Sequence, residues 1–101
     1  MSYQLELAPG AIEDLAAAAE WYERNSPTSG EKLVRAIGDI LIEIRERPEA
    51  WPRLAHRPRI RARVVRRLRY RIIYEILDRT IVVHAIAHTS RDPGYWLDRV
   101  T

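Results

Sequence analysis

The sequence contains no cysteine. A disulfide framework, a thiolate nucleophile and a cysteine-ligated zinc site are thereby excluded, and a reducing compartment is the natural setting. Only four glycines occur, and none forms a phosphate-cradling loop. H-E-x-x-H and related ligand spacings are missing, so neither a metal nor any other cofactor is expected. No apolar run approaches the roughly 20 residues that span a bilayer, and the first residues lack the apolar core of a signal peptide. The expected location is the cytoplasm, with no membrane partner.

Two further scarcities concern charge. Lys32 is the only lysine among 17 basic residues, and no acidic residue interrupts Arg53 to Arg71, which holds nine arginines. A GC-rich coding sequence accounts for arginine over lysine but not for the clustering. Residues 1–50 carry 5 basic and 10 acidic side chains, whereas residues 51–101 carry 12 and 4. The second half therefore presents a crowd of planar guanidinium forks suited to carboxylate or phosphate. Arg61, Arg63, Arg66, Arg67 and Arg69 are the candidate residues for gripping an acidic partner or a nucleic acid.

With 101 residues and 47% apolar content, the chain fits one domain, 1–101, with one modest core. Tyr3 to Ala8 alternates as a short strand, broken by Pro9-Gly10. Ile12, Leu15, Ala16, Ala19 and Tyr22 recur at helical spacing, which predicts an amphipathic helix over 11–24. Ser26 is the candidate N-cap and Pro27 the first residue of a second helix reaching about residue 47, with Leu33, Ile37, Ile40, Leu41 and Ile44 as its apolar stripe. A turn this short predicts an antiparallel helical hairpin, with Gly38 allowing close packing on the first helix. Trp21 and Trp51 are assigned to packing around that hairpin.

After a proline-rich connector, three strands are expected at 60–64, 71–77 and 80–87, with Asp78-Arg79 as the last hairpin turn. A short helix or turn follows Asp92-Pro93-Gly94. The fold class is α+β: β-α-α-β-β-β with a short final element, a mostly antiparallel sheet with helices on one face. Arg61, Arg63 and Arg71 are expected on the open face. His84 and His88, four apart, are expected on one face of a straight strand, about 13 Å apart and so too distant to share a metal. His84 reads as structural. His88 either bonds Ser90 or Asp92 at the strand end or trades protons near neutral pH. Tyr74 reads as core and Tyr95 as a surface residue that could stack on a base.

The run Y-R-I-I-Y-E at Tyr70–Glu75 and the run A-H-x-x-R-D-P-x-Y-W at Ala87–Trp96, placed after a helical hairpin of this length, resemble the toxins of the RelE/ParE superfamily. The likeness covers Tyr3 to Trp96. Leu68-Arg69-Tyr70 departs from the Phe-Pro-Tyr that relatives often carry before the third strand. The resemblance implies the toxin of a type II toxin–antitoxin pair, bound in a hetero-oligomer by a cognate antitoxin with a DNA-binding head and a flexible tail. RelE-like members cleave mRNA on the ribosome; for that activity the matching residues are Arg71 and Arg91 on the phosphate, Tyr95 or His88 for proton transfer, and Arg61 and Arg63 where relatives have lysines. ParE-like members instead poison DNA gyrase. The long hairpin, and arginines that cannot act as bases, favour the ParE-like branch. A non-toxic nucleic-acid- or protein-binding domain using the same basic face is the third alternative.

Overall fold

The computed structural model describes residues 2–100. In chain order the elements are β1 (Gln4–Leu7), α1 (Pro9–Asn25), α2 (Ser29–Glu46), a 3-10 turn (Pro48–Ala50), β2 (Arg53–Leu54), β3 (Arg57–Val65), β4 (Tyr70–Leu77), β5 (Thr80–His88), α3 (Gly94–Leu97) and a closing 3-10 turn (Asp98–Val100). The five strands lie in the order β1-β5-β4-β3-β2. β1 runs parallel to β5 and every other pairing is antiparallel, as the expected fold class requires.

α2 buries Leu33, Ile37, Ile40 and Ile44, the stripe read from its periodicity. Each such side chain contributes roughly 1.5–3 kcal/mol relative to exposure. They pack against Tyr70, Ile72, Tyr74, Ile81, Val83 and Ile86 of the central strands. The Tyr74 hydroxyl donates to the Pro48 carbonyl at 2.6 Å. Burial pushes its pKa up to about 12, against the lowering effect of Arg61 and Arg63 nearby.

The phase of α1 differs from the expectation. Pro9 is already helical, in the first turn, where its missing N–H costs nothing. The inward residues are Ala11 and Asp14, with Leu15, Ala18 and Tyr22 partly buried against the core; Ile12 is 54% exposed. Alanine supplies too little contrast to fix the rotation of a helix. Trp21 is likewise on the surface, 56% exposed, not packed inside the hairpin.

The hairpin turn is also built differently. Ser26 caps the C-terminus of α1, and α2 starts at Ser29 with Thr28 in the left-handed region at φ 67°. The first turn of α2 is capped from across the loop: Glu23 accepts from the N–H groups of Thr28 and Gly30 at 3.0 and 2.9 Å. The Ser29 hydroxyl lies 2.5 Å from the Tyr22 carbonyl. Close approach of the two helices occurs at Gly30, where an added Cβ would lie 2.5 Å from the Ala19 carbonyl oxygen. Gly38, expected to serve that purpose, has nothing within 4 Å of its Cβ position and faces outward.

The sheet face opposite α1 and α2, expected to be open, is covered over its middle, although Val64 and Leu77 on it remain exposed. Ile60, Ile73, Ala85 and Ala87 form a second small core there, closed by Trp96 and Val100 of the C-terminal segment. Pairing of Arg61 with Tyr74 and Arg63 with Ile72 puts both arginines on the helical side. A β-bulge changes the last strand: Ile73 pairs Ala85 but Tyr74 pairs Val83, so His84 is an extra residue. The alternation slips by one, and His84 and His88 end on opposite faces, where a straight strand would have put them together. His84 meets Glu75, while His88 lies edge-on to Tyr70, ring centroids 5.4 Å apart.

Gly30→Ala should lower stability by roughly 1–3 kcal/mol through overpacking, and Gly38→Ala should raise it by about 0.5–1 kcal/mol through helix propensity. Urea titrations of the dilute protein measure both signs.

Candidate functional site: a basic groove at the end of the sheet

α1, α2, the β3–β4 turn and the ends of β4 and β5 enclose a groove of about 1060 Å³. Its walls are Ala17, Ala18, Trp21 and Tyr22 of α1, Leu33 and Ala36 of α2, Leu68 of the turn, Tyr70 of β4, and Ile86 and His88 of β5. Five cations border it: Arg24, Lys32, Arg67, Arg69 and Arg91. Asp14 is its one carboxylate.

The β3–β4 turn explains how arginines come to edge an apolar groove. Leu68 N–H bonds the Val65 carbonyl and Arg69 N–H bonds that of Arg66, and Arg69 adopts φ 60° to rejoin the sheet. Leu68 packs against the core while its arginine neighbours remain exposed. Arg66, Arg67, Arg69 and Arg91 have no carboxylate within ion-pair distance among the described residues.

Arg61 and Arg63, expected to grip a partner, are internal struts instead. Arg61 donates to the carbonyls of Trp51 and Glu49 at 2.7 and 3.2 Å. Arg63 pairs with Glu43 at 2.9 Å, and its guanidinium lies 4.1 Å from the centre of the Trp51 ring. Strand alternation turned them toward α2, where burial demands partners.

The groove brings together Arg67, Arg69, His88, Arg91 and Tyr95. It does not include Arg71, which pairs with Val64 and Ala87 and so sits on the second-core face. Arg66 is exposed on the turn outside the groove wall. The Arg91 guanidinium lies 4.6 Å from the Tyr95 ring centre, a cation–π contact.

The two groups with proton-transfer potential are already engaged. Ser90 N–H donates to His88 Nδ1 at 3.1 Å, and the Ser90 hydroxyl lies 2.8 Å from the same nitrogen. This network assigns Nδ1 as acceptor and leaves Nε2–H as a donor. Tyr95 donates its hydroxyl to Asp14 Oδ1 at 2.6 Å. The groove thus offers donors and cations, an arrangement for binding anions.

Asp14 was not singled out by the sequence, although it falls three residues after Ala11 and four before Ala18 on the inward face of α1. It accepts from Ile86 N–H at 2.9 Å, from Tyr95 and from both terminal nitrogens of Arg99, at 2.8 and 3.2 Å. Hydrogen bonding to Asp14 raises the Arg99 pKa, against the lowering effect of burial. A second buried carboxylate, Glu75, accepts from Arg59 at 2.8 Å and lies 2.6 Å from His84 Nε2. Burial pushes its pKa up, but the hydrogen bonds from His84 and Arg59 and their charges outweigh that and hold it below the usual range. Arg59 also donates to the Val100 carbonyl, which ties the C-terminal segment to the sheet. Neither carboxylate shows a periodicity of its own; each is found only through its partners.

Residues 5–93 match the family described as the ParE toxin of the type II toxin–antitoxin system parDE. The chain belongs to that family, within the RelE/ParE superfamily whose fold it shares. A solved structure of the chromosomal ParDE toxin–antitoxin system from P. aeruginosa aligns with a TM-score of 0.63 at 19% identity, covering 85% of this chain and 95% of that one. The E. coli toxin RelE, as an arginine double mutant in the free state, aligns with a TM-score of 0.62 at 21% identity, covering 100% of both chains. The isolated E. coli RelE toxin aligns with a TM-score of 0.57 at 22% identity, covering 98% and 99%. No curated protein matches by sequence. No helix among the described residues is long and apolar enough to cross a membrane, and no group of three or more potential metal ligands occurs among them.

Asp14→Asn should cost roughly 2–4 kcal/mol, because it strips the partly buried Arg99 of its counter-charge; chemical denaturation reads the loss. Because Glu75 has a lowered pKa in the folded state, its contribution is complete above about pH 4.3, the unfolded value, and fades as pH falls through the folded one. The stability gap between wild type and Glu75→Gln should therefore be widest near neutrality and narrow in acid. A gap that stays constant from pH 7 to about 3 would contradict this reading.

Proposed function

We propose that the chain is a ParE-like toxin that acts by binding, with DNA gyrase as its target in the cytoplasm, and that a cognate antitoxin neutralises it by laying an acidic, amphipathic tail segment in the groove. The observation that carries this reading is the groove's composition. An apolar floor is bordered by five cations, and its one carboxylate is already paired. A partner segment with apolar residues on one side and carboxylates along its edges would satisfy both features.

Two further observations support binding over phosphodiester cleavage. Arg71 lies across the sheet from Arg91 and Tyr95, so the two arginines that the endonuclease reading needs on one phosphate are on different faces. His88 Nδ1 and the Tyr95 hydroxyl are occupied by Ser90 and Asp14. The endonuclease reading is kept because solved structures of RelE share the fold; in it, Arg71→Ala abolishes cleavage.

Expression in cells, with DNA and protein synthesis followed separately, tests the target. Induction of the DNA-damage response with altered supercoiling is the expected outcome. Early translational arrest with cut mRNA would overturn it in favour of an endonuclease, and no growth arrest would favour a non-toxic binding domain. For the groove, Arg67→Ala combined with Arg91→Ala should weaken antitoxin binding about tenfold or more at low salt, and less at high salt. Arg71→Ala should change it by less than about twofold, since no groove contact is lost. Calorimetric titration with the antitoxin measures both.

A further inference from the structure

The outward face of α2 carries an arrangement that neither the core nor the groove uses. Val34 and Ile42 stand one helical turn before and after Gly38 and are 39% and 47% exposed. Nothing lies within 4 Å of a Cβ built on Gly38. A glycine inside a helix costs about 0.5–1 kcal/mol relative to alanine, and no contact among the described residues compensates. Bare backbone between two apolar side chains lets a second helix approach closely.

The charges on this face identify the second helix. Glu31 lies seven residues before Gly38 and Arg45 seven after, and all three fall in one row because seven residues make nearly two turns. Glu31 and Arg45 are both exposed, and neither has an ion-pair partner among the described residues. Two antiparallel copies of α2 crossing at Gly38 set Glu31 of each against Arg45 of the other, and Val34 of each against Ile42 of the other. A parallel crossing would oppose like to like. The face is therefore complementary to itself about a two-fold axis. A concavity of about 490 Å³ between α1 and α2, lined by Ala19, Gly30, Glu31 and Val34 among others, lies at the Glu31 end, where the second copy presents Ile42.

We propose that the chain associates with a second copy of itself through this face, as an antiparallel dimer centred on Gly38 that leaves the basic groove free. One pair of crossing helices buries less than the roughly 1,200–2,000 Å² of a standard interface. The dimer is accordingly weak, with a Kd on the order of tens of micromolar.

Sedimentation of the purified chain from about 5 to 500 μM, at about 50 and 500 mM salt, tests this. The expected result is a concentration-dependent dimer that weakens with salt. Glu31→Arg or Arg45→Glu alone should raise the Kd about tenfold or more, because both cross-pairs become repulsive. The two substitutions in one chain should restore it, and so should an equimolar mixture of the two single variants, in which each copy complements the other. Gly38→Leu should abolish association while circular dichroism shows the fold retained. A monomer at every concentration overturns the proposal. So does a dimer indifferent to the single swaps, or one that the double swap fails to restore.

Discussion

The ion pair of Asp14 with Arg99 holds the rest of the structure in register. β1 ends at Leu7, opposite Val83, while β5 continues to His88. Past Val83 the edge of β5 has no strand beside it among the described residues, and α1 crosses instead. Asp14 accepts the Ile86 N–H and Arg99 donates to the His84 carbonyl at 3.1 Å. The pair thus supplies one acceptor and one donor of a missing strand. A charge buried at a sheet edge is stable only when paired and fully bonded, and this requirement fixes three things at once: the rotation of α1, the course of β5 after its bulge, and the docking of the C-terminal segment. Tyr95, bonded to the same carboxylate, places the groove rim relative to the helix.

The arginine-rich half is divided by the sheet. Alternation along β3 sends Arg61 and Arg63 inward to carbonyls, Glu43 and Trp51, whereas Arg59, in the stretch where the β2–β3 register shifts, breaks that alternation and reaches Glu75 and Val100. These are structural cations that join helices and C-terminal segment to a thin sheet. The turn after β3 follows no alternation, and there the guanidinium groups of Arg67 and Arg69 stay in water beside an apolar groove. The guanidinium groups of Arg66, Arg67, Arg69 and Arg91, without a carboxylate partner among the described residues, therefore lie on a turn and past a strand end, not on a sheet face.

The helical hairpin shows a comparable division of labour. Gly30 admits the Ala19 carbonyl, and Glu23 bridges the loop, so the two helices are closed against each other at their loop end. Eight residues further on and about 80° round α2, Gly38 has nothing within 4 Å of its Cβ position.

By itself the sequence determined the element order, the α+β class, the core stripe of α2, the burial of Tyr74 and the family. These depend on local periodicity and on motif spacing, which a chain carries in one dimension. Only the tertiary structure decided which arginines are free, that the middle of the second sheet face is covered, and that Asp14 and Glu75 are buried. Each of these depends on a partner distant in the chain: Asp14 lies 85 residues from Arg99. The bulge at His84 belongs with them, because an extra residue on one strand is defined only by its neighbour, yet it reverses the face of every side chain beyond it.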